Sequence, residues 1–150
     1  MNSTLTQPVT LKLSRHIKAP RERVFAAWAN ANEFAQWLGG GNRKVISASS
    51  DVRPGGEYRL KSVGDDGGCE IDMVGTYRAV KPPELLSFTW TAGGCSPEYK
   101  GAQSLVTVEL TEEKGGTLLR LTHEGFADAE ICEKHNKGWN ASFDVLEKLV

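Results

Sequence analysis

Cysteine is scarce in this 150-residue chain, and Cys69, Cys95 and Cys132 are far apart, with no CxxC pair and no histidine at zinc-finger spacing. Neither a disulfide scaffold nor a structural metal is expected from such a set. Long apolar runs are also missing. No stretch approaches the ~18 apolar residues that would span a bilayer, so membrane insertion is not expected. An excess of positive charge is absent too: the net charge is -1 and the basic residues are scattered. The electrostatic footprint of a nucleic-acid-binding protein is therefore lacking. The first eight residues, Met1 to Pro8, have no basic start followed by an apolar segment. They read as a short flexible tail, and the chain as a cytoplasmic protein.

What is present is one domain's worth of ordinary globular sequence, 39% hydrophobic and 25% charged. A chain of this length buries about 68 to 70% of its unfolded surface around a single core, here expected over residues 9 to 150. Val9 to Ile17 alternates Val9, Leu11, Leu13, Arg15 and Ile17 against Thr10, Lys12, Ser14 and His16, the period of a strand with one buried face. Pro20 suits the first turn of a helix carrying Val24, Phe25, Trp28 and Ala31. A second short helix with Phe34, Trp37 and Leu38 ends at three glycines. Six strands are then expected: Lys44 to Asp51, Glu57 to Val63, Cys69 to Val80, Leu85 to Thr91, Ser104 to Glu113 and Thr117 to Glu124. The links between them are turn chemistry, such as Arg53-Pro-Gly-Gly56 and Lys114-Gly-Gly116, and short links imply antiparallel neighbours. Ala92 to Gln103 is longer and reads as a flap.

The long helical pattern from Asp128 to Val150 completes the order. Its expected inner face takes Ile131, His135, Gly138 with Trp139, Ser142 with Phe143, Leu146, and Leu149 with Val150 at three- and four-residue steps. That face mixes bulk, a gap and polar atoms, so a cavity is expected beneath it. Glycine within a helix costs about 1 kcal/mol relative to alanine, so Gly138 suggests that a strand or ligand closely approaches the backbone. The fold class is α+β: a curved antiparallel sheet of about seven strands gripping the last helix, with two short helices after strand one.

Six strings carry a resemblance: Ala19-Pro20-xx-Arg23-Val-Phe25-xx-Trp28, Asp51-x-Arg53-Pro-Gly-Gly56-x-Tyr58-Arg59, Gly75-x-Tyr77, Pro82-Pro83-Glu-Leu85-xx-Phe88-Thr-Trp90, Thr122-His-Glu-Gly-Phe126 and Gly138-Trp139. In this order they resemble the SRPBCC superfamily of START-like, Bet v 1-like helix-grip proteins. Within it, the chain is similar to the family of the C-terminal domain of the activator of Hsp90 ATPase. Such proteins share a cavity rather than a reaction, and include lipid and steroid carriers, hormone receptors, polyketide cyclases and co-chaperone domains.

The candidate binding residues follow from register. Tyr58, Met73, Tyr77, Phe88, Trp90 and Trp139 can face the gripped helix, with Trp28 and Trp37 closing one end. His123 shares a strand face with Leu119 and Leu121, so it points inward if they do, toward His135 on the helix. With Gly138 and Ser142 these form the expected wall for a small hydrophobic or aromatic molecule. No catalytic residue, metal ligand or cofactor is assigned, because no nucleophile or orienting carboxylate accompanies the two histidines. A chaperone-assisting interaction module, in keeping with the resemblance, is the alternative. A cyclase-like enzyme with His123 as general base is the third reading. Monomer and homodimer both remain open.

Overall fold

The computed structural model describes residues 9–38, 43–64, 70–94, 103–126 and 129–150. Its elements are β1 (Val9–Ile17), α1 (Arg21–Ala29), α2 (Ala31–Trp37), β2 (Arg43–Ser50), β3 (Glu57–Gly64), β4 (Glu70–Lys81), β5 (Leu85–Gly94), β6 (Gln103–Glu113), β7 (Gly116–Phe126) and α3 (Ala129–Leu149). The expected strand, two helices, six strands and long helix are all present. The strand β5 runs three residues beyond its expected end at Thr91, which shortens the expected flap. Residues 95–102 of that flap, the N-terminal tail and the glycines after α2 lie outside the described residues.

The strands form one antiparallel sheet in the order β1-β7-β6-β5-β4-β3-β2. The two strands flanking the helical pair are thus its two edges, and α1 and α2 carry the chain from one to the other. Asn30 makes the break between these helices a cap, its side chain accepting from Glu33 N–H, as short polar residues at helix starts do. Trp37 fastens α2 to α1 by donating from Nε1 to the Ala27 carbonyl at 3.0 Å.

Strand alternation sorts side chains to the two faces. Phe88 and Trp90 on β5, Val106 and Val108 on β6, and Leu119, Leu121 and His123 on β7 are buried on the face that receives the helices. On that face α3 is held to edge strand β1 through Arg15. The Arg15 guanidinium lies 2.6 Å from the Asp144 carboxylate and 5.6 Å over the Phe143 ring. The Asp51 to Gly56 segment is a turn, as expected from its sequence. Gly55 N–H donates to the Tyr77 carbonyl and Tyr77 N–H to the Gly56 carbonyl, tying this turn to β4.

Gly75 lets the sheet absorb Tyr58. A Cβ there would overlap the Tyr58 ring and the Thr89 carbonyl oxygen, and through that opening Tyr58 donates to the Thr89 carbonyl at 2.8 Å. Burial pushes the Tyr58 phenol far above its usual value and that of Tyr77 up to about 12. Both hydroxyls are therefore protonated donors at neutral pH.

Candidate functional site

The inner stripe of α3 is Cys132, His135, Trp139, Ser142, Phe143 and Leu146. Gly138 departs from expectation: it is exposed, and a Cβ built on it meets nothing within 4 Å. At 100° per residue Gly138 sits about a quarter turn from the centre of that stripe, and among the described residues no strand approaches it. Ser142 is buried and donates to the Gly138 carbonyl at 2.8 Å, a bond that turns its hydroxyl along its own helix.

The remaining residues proposed from the sequence are all buried, and most join one aromatic cluster. Tyr58 contacts Tyr77 and Phe88, with ring centres 5.6 and 5.3 Å apart. Phe88 lies 6.2 Å from Trp28 and 6.5 Å from Trp90. Trp139 stands between them, 5.6 Å from Trp28 and 5.0 Å from Trp90. Trp37 packs edge-on against Trp28 at 4.7 Å. Met73 is buried on β4, opposite Leu60 in the ladder.

Polar chemistry enters at the end of this cluster beside the N-terminal half of α3. His123 is fully buried, with its ring 5.2 Å from His135 and 4.3 Å from Phe126. Trp139 Nε1 lies 3.1 Å from His123 Nδ1, and Ser104 Oγ lies 2.7 Å from His123 Nε2. An indole N–H can only donate, so Nδ1 accepts and the proton of the neutral ring sits on Nε2. His123 then donates to Ser104, whose hydroxyl continues to the Trp90 carbonyl at 3.3 Å. Burial, followed by the neighbouring His135, holds the His123 pKa down to about 3. The ring is consequently neutral at physiological pH with its basic nitrogen already engaged, which removes the free lone pair a general base requires.

Two members of this group were not anticipated from the sequence. Ser104 shares a strand face with Val106 and Val108, and alternation alone places it there. Phe126 is different, because counting by twos from His123 reaches Gly125. The register instead pairs Thr10 with Glu124 and Val9 with Phe126, leaving Gly125 as an extra residue at φ +100°. This bulge turns Phe126 onto the His123 face. On the other face of the sheet, Thr10, Arg78, Thr89, Gln103 and Glu124 border an open polar groove of about 330 Å³ that Ser104 also lines. Among the described residues no group of three metal-ligating side chains converges, and no helix is long and apolar enough to cross a membrane.

A sheet that grips a long C-terminal helix over an aromatic interior is the helix-grip arrangement. Residues 18–150 match the family described as activator of Hsp90 ATPase homolog 1-like protein, and the chain belongs to that family. Among solved structures, a protein from Chromobacterium violaceum is similar with a TM-score of 0.80 and 28% identity, over 95% of this chain and 98% of that one. An uncharacterized protein from Rhizobium leguminosarum gives 0.76 and 28%, over 94% and 93%. The AHSA1-like protein from Aeromonas hydrophila gives 0.76 at 22% identity, over 93% and 90%, a likeness of fold. No curated protein matches the chain.

Proposed function

We propose that this chain, as one domain over residues 9 to 150, binds a small hydrophobic or aromatic molecule between the sheet and the N-terminal half of α3, in the cytoplasm. The observation that carries this reading is the buried Trp139–His123–Ser104 chain set into an otherwise aromatic face. Hydrogen-bonded polar groups inside an apolar wall are what orient a small ligand. Residual exposure supports the same end: Trp90 at 6%, His135 at 8% and Cys132 at 9% exceed Trp37 at 0% and Phe143 at 1%. A thermal-shift screen against neutral aromatic metabolites, flavonoids, sterols and lipids tests the reading. A ligand at 100 times its Kd adds about 2.7 kcal/mol, and a flat screen would reject ligand binding.

The second reading, a module that assists a chaperone, is favoured by the family and by two exposed apolar side chains, Ile46 at 52% and Val52 at 37%. Both lie on or beside edge strand β2. This reading predicts stimulation of purified Hsp90 ATPase that is lost in Ile46→Asp; no stimulation by the wild-type protein would dismiss it.

A further inference from the structure

Two buried indole N–H groups in the aromatic cluster, Trp28 Nε1 and Trp90 Nε1, have no hydrogen-bond partner among the described residues. Buried donors are nearly always paired, and an orphan calls for an explanation. Trp28 is ringed by Phe34, Trp37, Phe88, Trp139 and Phe143 and is 2% exposed. A ligand could meet its N–H only by displacing rings. Trp90 stands instead at the polar end, 5.3 Å from His123 and 6.3 Å from His135 by ring centres, with three times the exposure of Trp28. Its carbonyl is spoken for by Ser104, while its side-chain donor is free.

Resting on the ligand-binding reading above, we propose that the ligand is a neutral, planar molecule bearing a hydrogen-bond acceptor, and that Trp90 Nε1–H recognises this acceptor. A single indole donor satisfies a carbonyl oxygen or an aromatic ring nitrogen. A buried anion would require a cation or several donors, and His123 supplies no positive charge while its Nδ1 accepts from Trp139. Trp90 lies against the Trp139 ring, 5.0 Å between centres, and such flat surfaces near the donor suit an aromatic ring. Selectivity would then come from the unpaired donor, which an acceptor satisfies and a hydrocarbon leaves unmet.

Quinoline and naphthalene have the same shape and differ by one acceptor nitrogen, so their affinities isolate this contact. Titration calorimetry on the wild-type protein should give quinoline about tenfold tighter than naphthalene, the worth of one net hydrogen bond. In Trp90→Phe, which keeps an aromatic ring and loses the donor, the two affinities should converge. As a check that needs no variant, the Trp90 indole proton should move downfield with quinoline and not with naphthalene. Equal affinities in the wild type, or a preference that survives in Trp90→Phe, would overturn the acceptor inference and leave ligand binding standing. Failure of both probes to bind would overturn the inference together with the reading it rests on.

Discussion

The two halves of the gripped helix rest on different kinds of interior. Its C-terminal half packs Phe143 against Trp28 and Trp37 and buries Leu146, all at most 2% exposed, and Arg15 clamps it from outside. There Trp37 is a structural donor, fixed to the Ala27 carbonyl. The N-terminal half covers His123, His135 and Trp90, where hydrogen bonds pass from indole to imidazole to hydroxyl and one donor is unmet. The difference teaches that aromatic content alone does not locate a binding site. The distinguishing mark is the buried polar chain, since each half holds one indole donor, on Trp28 or on Trp90, without a partner among the described residues.

The largest way to test that contrast is to open the closed half. Trp37→Ala should cost about 3 to 5 kcal/mol in chemical denaturation, because a large buried ring leaves a cavity that cannot collapse fully. A cost below ~1 kcal/mol would mean that this half is not closed.

The polar half should betray itself through pH. The folded chain keeps His123 neutral down to about pH 3, whereas an unfolded histidine takes its proton near 6.5. The unfolded state therefore binds the extra proton, and stability is fully present above pH 6.5 and lost as pH falls toward 3, by about 1.4 kcal/mol per unit. Between pH 7 and 5, His123→Gln should lose about 2 kcal/mol less than the wild type. Parallel losses would show that His123 does not carry the titration.

A matched pair sharpens the comparison further. Trp37→Phe and Trp90→Phe remove similar volume, but only the first breaks a hydrogen bond. Trp37→Phe should therefore be more destabilising by about 1 kcal/mol, measured by denaturant midpoints at constant slope. The smallest effect belongs to Gly138, which touches neither half's interior. With open space around it, Gly138→Ala should raise stability by up to about 1 kcal/mol through helix propensity alone.

Much of this organisation was legible in the residues. Two-residue alternation located β1, turn chemistry such as Arg53-Pro-Gly-Gly56 and Lys114-Gly-Gly116 marked off later strands, and alternation from Leu119 and Leu121 brought His123 inward toward His135. Phe126 was hidden by the bulge at Gly125, since one inserted residue reverses every later side chain. Gly138 misled for a different reason. A glycine in a helix implies close approach only if it lies on the packed stripe, and that stripe is set by its large neighbours Trp139 and Phe143. The unpaired indole of Trp90 had no sequence signal, because pairing depends on what surrounds the ring and not on its register.

The four tryptophans divide evenly between the halves and report on them separately: Trp28 and Trp37 in the closed half, Trp90 and Trp139 in the polar one. Titrating the nitrogen-15-labelled protein with quinoline while following the four indole N–H signals tests the central claim most directly. The account predicts that Trp90 and Trp139 shift together in a saturable way while Trp37 stays fixed. Movement centred on Trp28 and Trp37, with Trp90 unmoved, would contradict it.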